Sequence, residues 1–372
     1  MKKLFLFSTV LTALLFAVNP LNVLGCTSWM IFSDMTKNGT NILHKNRDAV
    51  SRKIAVYLSN AESARKWVGM GNNNALCMGM NASGLAIIMN SGEVSFDYSD
   101  EKTRMTTSEI ILKMLESCDT AAQAVDMMKD IVKNSKYRHS EKKGSTFFFC
   151  DRNEGYVFEM TPKYYSVQKY NDGFTVRANI WQNPGMYQIS RSNIKWHLNS
   201  SARAFIAISE LNKAIDKHNK ITLLDIFDLS RHYLMPETSS QKRSVCFRAT
   251  NSTSSLEIDK QYPDILSTAY FTIGHPRHTV YVPIPVCVEK ILPSMGNLKW
   301  SAAAWKRFDA LKLEAPIPAE WTKFEKDSMA VYQKAQSDAR KLLDAGKRAE
   351  AVKLMNSTAE KIWINAEKLL KI

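Results

Sequence analysis

The chain has no C-x-x-C pair and no cysteine–histidine cluster at zinc-site spacing, so its six cysteines, at 26, 77, 118, 150, 246 and 287, do not point to a structural metal. It has no internal repeat and no low-complexity tract, which excludes a solenoid or a long disordered linker. It lacks any signature of DNA or RNA binding, although 50 Lys and Arg against 36 Asp and Glu give a formal charge of +14. The basic residues are scattered, many of them in the C-terminal helical segment, and describe a solvated surface rather than a nucleic-acid partner. At most they favour anionic substrates. No apolar run reaches the ~20 residues of a membrane span. The run Leu4 to Val18 is interrupted by Ser8, Thr9 and Thr12 and stops at Asn19-Pro20.

What is present starts with that run. Met1-Lys2-Lys3, the apolar core, and Val23 and Gly25 ahead of Cys26 have the order of an export signal, residues 1–25, cleaved before Cys26. The expected product is periplasmic or extracellular. It carries +12, because Lys2 and Lys3 are the only charges removed (14 − 2 = 12). Val23-Leu24-Gly25-Cys26 also fits a lipobox, which would make the protein a surface-anchored binding module at the cell envelope, in contact with a membrane only through a lipidated Cys26. The two fates exclude each other, since an acylated amine is no base and a thioether is no nucleophile. Cys26 set aside, five cysteines cannot all pair, and Cys77, Cys118, Cys150 and Cys287 lie in apolar stretches that suit buried free thiols.

Alternating and apolar runs bounded by turn residues place strands at Ser28 to Ser33 and Asn41 to His44, around Thr36-Lys37-Asn38-Gly39, and at Leu76 to Asn81 and Leu85 to Asn90, around Ala82-Ser83-Gly84. Helical spacing follows, capped at Thr107 or Ser108 and restarted at Asp119-Thr120. Strands return at Thr146 to Cys150, Tyr156 to Met160, Tyr164 to Tyr170 and Phe174 to Ala178. Helices are expected at Ala202 to Ala214 and Leu223 to Tyr233, and strands at Leu256 to Ile258, Ala269 to Ile273 and Thr279 to Val282. This order implies an α+β arrangement of helices layered on sheets. From residue 291 a helical extension, 291–372, packs on the 26–290 domain: Ser301 to Leu313, then two helices either side of Gly346. Ser59 to Ala75 and Gly92 to Arg104 read as pocket-forming loops, with Trp67, Met70, Phe96 and Tyr98 suited to an apolar acyl group.

An N-terminal cysteine couples a thiol of reference pKa about 8.5 to an α-amine of about 7.7–8.0, so the amine can serve as base for its own side chain. Such a site needs a carboxylate to orient the amine, a cation or donor near the thiolate, and amides for the oxyanion. Cys26-Thr27-Ser28, His44-Lys45-Asn46-Arg47-Asp48 and Gly79-Met80-Asn81-Ala82-Ser83-Gly84-Leu85-Ala86 resemble the opening of the N-terminal nucleophile (Ntn) hydrolases grouped around choloylglycine hydrolase, penicillin V acylase, acid ceramidase and the acyl-CoA:6-aminopenicillanic acid acyltransferases. The resemblance continues in Arg177-Ala178-Asn179, Asn199 to Arg203 and Tyr270 to Pro283, and spans about residues 26 to 290.

The resemblance implies a four-layer αββα sandwich, no cofactor, and a small-molecule N-acyl amide as substrate, with a homo-oligomer left open. It makes Cys26 the nucleophile and Asp48 the partner of its amine. Asn90, with Ser91 as alternative, and Asn179, in preference to Asn183, become the oxyanion amides; Arg203, with Arg191 as alternative, becomes the arginine that ties the site together. Where the family has arginine this chain has Lys45, which keeps the charge without the planar fork; Arg47 carries a fork two positions along. The implied activity is hydrolysis of a linear amide through a thioester, with acyltransferase and dipeptidase as alternatives. Glu159, between Phe158 and Met160, is expected at a solvent-facing strand position.

Overall fold

The computed structural model describes residues 25–60, 62–72, 75–95, 104–138, 143–233 and 244–372. Residues 1–24 of the expected export signal, Phe96 and Tyr98 lie outside the described residues.

Two antiparallel sheets lie face to face. Strands β1 (Thr27–Ile31) and β2 (Asn41–Asp48) form the predicted hairpin immediately after Cys26. β3 (Ile54–Leu58), β4 (Trp67–Asn72), β5 (Ala75–Asn81), β6 (Ala86–Val94), β7 (Lys143–Cys150), β8 (Gly155–Met160) and β9 (Tyr165–Tyr170) follow in chain order as a seven-stranded meander. β10 (Phe174–Arg177), β11 (Thr250–Ile258), β12 (Thr268–Thr272) and β13 (Val282–Pro285) complete a six-stranded sheet in the order β10-β1-β2-β11-β12-β13. β2 packs on β6 and β7, β11 on β5 and β12 on β4, which defines the space between the sheets.

Helices cover both outer faces. α1 (Thr107–Ser117) and α2 (Ala121–Lys133) lie on the seven-stranded sheet, burying Ile110, Ile111, Met114, Ala124 and Met128 against Leu85, Ile87, Phe147 and Phe149. Their starts are set by capping boxes, Thr106 with Glu109 and Thr120 with Gln123, so the first cap falls one residue before the position expected. α3 (Ile194–His218) and α4 (Leu223–Ser230) cover β10, β1 and β11. α5 (Lys299–Leu311), α6 (Ala319–Asp344) and α7 (Arg348–Leu370) extend that outer layer, with Trp300, Tyr332 and Trp363 buried in one core with Tyr270 and Ile284 of the sheet. The architecture is the αββα sandwich.

Three expectations need correction. Ser59 to Ala75 is not a loop: it contains β4, with Trp67 and Met70 buried in the cores. Residues Thr250 to Ser255, too polar to read as a strand, form the first part of β11 and are buried throughout. Three of their hydroxyls find partners on neighbouring elements, Thr250 on Asp48, Thr253 on Thr272 and Tyr281, and Ser255 on His44, which lets a polar strand occupy a position usually filled by an apolar run. Cys77 is half-buried rather than buried; all six cysteines are free thiols.

Candidate active site

Strand alternation sorts the residues around Cys26. Ser28 donates from Oγ to Asn90 Oδ1 on β6 at 2.9 Å, so the even-numbered face of β1 looks between the sheets, and Cys26, two residues earlier, shares it. Thr27 has the opposite face and accepts from Arg203 on α3. On β2 the register puts Lys45 beside Ser28, and Lys45 Nζ donates to the Met89 carbonyl of β6, also between the sheets. Asp48 falls on the outer side, where its Oδ1 accepts from Thr250 Oγ1 at 2.6 Å.

Arg203 is the joint between these groups. It is 1% exposed, and its Nη1 donates to Gly25 O (2.8 Å), Cys26 O (2.7 Å) and Thr27 Oγ1 (2.7 Å), while Nη2 donates to Asn179 Oδ1 (2.8 Å). The Asp48 carboxylate lies 3.8 Å from Nη1. Burial pulls the guanidinium below its ordinary pKa, opposed by the negative ends of Asp48 and Cys26. Gly25 fits only because it has no side chain: a Cβ there would lie 2.3 Å from Arg203 Nη2 and 2.5 Å from Asn179 Oδ1. The Gly25–Cys26 peptide bond thus lies inside the cluster, held by the same Arg203 Nη1 that faces Asp48.

Each of the two amides donates to the backbone next to the other. Asn179 Nδ2 donates to Ser91 O at 2.7 Å, and Asn90 Nδ2 reaches Ala178 O at 3.4 Å. Each amide nitrogen carries a second N–H beyond the one so used. Asn183 is held elsewhere, its Nδ2 donating to Val157 O and Ser166 O, and Arg191 is exposed. His44 is neutral: burial lowers its pKa to about 3, against the Asn46 hydrogen bond, and its ring stacks on Trp29 at 4.0 Å. Cys26, Lys45, Asp48, Asn90, Asn179 and Arg203 therefore occupy one neighbourhood.

Over residues 35–252 the chain matches the family described as acyl-coenzyme A:6-aminopenicillanic acid acyl-transferase. The chain belongs to that family. The match begins downstream of Cys26 and contains the other five site residues. No curated protein matches. Similar solved structures include a variant of conjugated bile acid hydrolase from Clostridium perfringens (15% identity, 71% of this chain and 94% of that one, TM-score 0.48). Penicillin V acylase from Agrobacterium tumefaciens (14%, 73% and 89%, 0.48) and the Caenorhabditis elegans ortholog of N-acylethanolamine-hydrolyzing acid amidase (15%, 64% and 94%, 0.42) are others.

Relative to this acyl-transferase family's motifs, two supports escape a reading of the sequence. Thr250 holds Asp48 from a run that looks like a loop, and its only signal is its β-branched, hydroxyl-rich company. Glu159 is the second, and it corrects the solvent-facing expectation: it is fully buried and accepts from the backbone N–H of Gln182 (2.9 Å) and Asn183 (2.8 Å). Glu93 on β6 accepts from Trp181 N at 3.0 Å and meets His197 Nε2 at 3.1 Å. The segment that follows Asn179 thus hangs from two buried carboxylates, which gives Glu159 a reason to face inward.

Burial pushes Glu159 up from 4.5 to about 7, opposed by the two backbone donors and by Arg177 at 3.7 Å, and reinforced by Glu93; burial pushes Glu93 up as well. A carboxyl raised in the folded state favours folding fully below its unfolded pKa and loses that contribution as pH rises through the folded value. The window is about 4.5 to 7, and the change is about 3 kcal/mol for a shift of this size. Urea unfolding from pH 4.5 to 8 should show wild-type stability falling by that order relative to Glu159→Gln. Parallel profiles would contradict the assignment.

Proposed function

We propose that the chain, once it starts at Cys26, is an exported cysteine amidase that cleaves a linear N-acyl amide through a thioester. The observation that carries this reading is the Arg203 guanidinium, which gathers Cys26, Thr27, Asn179 and Asp48, residues far apart in sequence, around the bond whose cleavage frees the amine.

The chemistry follows from that arrangement. The free α-amine of Cys26, oriented by Asp48, takes the thiol proton while sulfur attacks the amide carbonyl. The carbonyl oxygen becomes an oxyanion facing the spare N–H groups of Asn90 and Asn179. Collapse breaks the C–N bond, the amine of Cys26 hands its proton to the departing amine, and an acyl thioester remains on Cys26. Water, deprotonated by the same amine, attacks the thioester, releases the acid and restores the thiol. An acceptor amine in place of water gives acyl transfer, and a substrate whose leaving amine is an amino acid gives peptidase chemistry. Export and removal of residues 1–25 belong to this proposal. The burial of Cys26, 7% exposed at the head of a central strand, supports it over a lipid anchor, which needs an accessible cysteine.

The test is turnover of a panel of N-acyl amides by protein made with Cys26 as its true first residue, read as stoichiometric acid and amine. Release of both with a Cys26-bound acyl group during turnover supports the reading; amine release without an acyl-enzyme contradicts it. On the substrate so found, Asn179→Ala and Asn90→Ala should each lower kcat by about 10²–10³-fold with little change in KM, the mark of a donor used in the transition state. A change confined to KM would remove the oxyanion role.

A further inference from the structure

Resting on the amidase reading, we infer that Arg47 is the substrate-specificity residue of this site: it binds a carboxylate carried by the substrate next to Cys26.

The register gives its position. Thr27 pairs with Asn46 and Ser28 with Lys45, so one step further along the antiparallel ladder Arg47 stands opposite Cys26. It shares the inter-sheet face with Lys45, because its Nη2 donates to Asn72 Oδ1 on β4 of the facing sheet. Directly opposed side chains on one face have Cβ atoms about 5 Å apart, so the guanidinium is a neighbour of the reacting thiol. The oxyanion amides lie toward β10 and β6, and Arg47 reaches the other way, toward β4.

Its partners are unusual for a buried cation. Arg47 is 8% exposed, and Nη1 donates to Asn251 Oδ1 at 3.1 Å, so its acceptors are two neutral amides. The other buried arginines among the described residues each face a carboxylate: Arg203 Asp48, Arg177 Glu159 and Arg231 Glu325. Arg47 has no carboxylate within ion-pair distance among the described residues. A charge kept this far from water without a counter-charge is costly, and a ligand carboxylate would relieve that cost through the planar fork that lysine lacks.

The fold also aims the group. Thr250 pairs with Asp48 and Ser252 with Arg47, which leaves Asn251 as the extra residue of a β-bulge. The bulge turns the Asn251 amide so that Oδ1 receives Arg47 while Nδ2 donates to Ser51 O at 2.6 Å. Asn251 and Asn72 therefore hold the guanidinium from two sheets without neutralising it.

The carboxylate belongs to either half of the amide, and paired probes separate the two sources. On the amine side, N-acylglycines of acetyl, octanoyl and palmitoyl chains are compared with the N-(2-hydroxyethyl) amides of the same acids. On the acyl side, the N-propyl monoamide of glutaric acid is compared with N-propylpentanamide. The protein starting at Cys26 should favour one carboxylated series by on the order of 30-fold or more in kcat/KM, and Arg47→Met should abolish that preference while changing the neutral partner by less than about 3-fold. Arg47→Lys should restore part of it. Equal losses on charged and neutral probes would make Arg47 a structural or thiolate-stabilising residue, and no preference in the wild type would leave it no carboxylate to bind; either overturns the inference.

Calorimetric binding of the same carboxylated probes to the Cys26→Ala protein separates this inference from the amidase reading. If no amide is cleaved but a carboxylated probe binds and Arg47→Met removes the binding, the amidase reading fails and the carboxylate site stands. If neither turnover nor binding of any probe depends on Arg47, the carboxylate site fails.

Discussion

Cys26→Ala, in protein that starts at residue 26, is expected to fold as the wild type does and to lose turnover by on the order of 10⁴-fold or more. The size follows from the position of the residue. In the proposed mechanism Cys26 supplies both the attacking sulfur and the proton-accepting amine, so nothing else in the site stands in for the sulfur once it is gone. The remaining oxyanion amides give only the catalysis that binding and electrostatics provide. Removing one sulfur from a small side chain at the head of β1 should cost little stability, about 1 kcal/mol, because β1 is held by β2 and β10 on either side. A companion protein that retains Gly25 in front of Cys26 keeps the thiol and every neighbour but has an amide nitrogen where the base should be. It should be as inactive as the alanine variant. Full activity in that protein would remove the amine from the mechanism while leaving the thiol in it.

Arg203→Leu is expected to be the most destabilising change in the site, by about 3–5 kcal/mol, since it strands Asp48 and leaves the Cys26 carbonyl, Thr27 and Asn179 without their shared donor. Adding Asp48→Asn should recover part of that loss, because the second change removes a carboxylate that has lost the Arg203 guanidinium. Urea unfolding of the four proteins in the cycle measures the coupling, and additive losses would show that Arg203 acts through its neutral partners alone. Arg203→Lys should fall between the two, since an ammonium has no fork with which to bridge the start of β1 and Asn179, past the end of β10, at once. Activity should track stability only in part: Asp48→Asn alone should keep most of the fold and lose turnover, as the carboxylate proposed to orient the amine of Cys26 is gone.

How far these features can be read from the sequence varies with what produces them. The β1–β2 and β5–β6 hairpins show because glycine- and asparagine-bearing turns interrupt apolar runs, and α1 and α2 show because threonine caps precede a regular apolar stripe. β4 does not show, because Gly69 and Gly71 break its alternation; both are needed where the β4–β5 pair approaches too closely for a side chain, a Cβ on Gly71 falling 1.9 Å from Ala75 O. Of β11 only the end, Leu256 to Ile258, shows, because the burial of Thr250 to Ser255 is satisfied largely by hydroxyls rather than by apolar contact. Glu159 reads as exposed because a strand carboxylate usually is; its partners are backbone N–H groups more than twenty residues away, which no local pattern announces.

The site divides in the same way. Cys26 stands out in the sequence as the cysteine after an expected cleavage point, and the resemblance to a family supplies Asp48, Asn90, Asn179 and Arg203 as candidates. Lys45 and Arg47 are the two candidates that the sequence offers for the place of the family's arginine, Arg47 with its fork two positions along. The register places Arg47 across from Cys26, while Lys45 sits two pairs further along, donating to Met89 O. Only the pairing of strands, and the bulge at Asn251, reveals that the two cations point to different neighbours.

The most direct test of the account is tandem mass spectrometry of protein secreted from cells and quenched in acid during turnover of a cleavable N-acyl amide. The account predicts an N-terminal peptide beginning at Cys26, with a free α-amine and one acyl group of the substrate on sulfur, absent from Cys26→Ala. A diacylglyceryl group on Cys26, or an acyl group on any other residue, would contradict it.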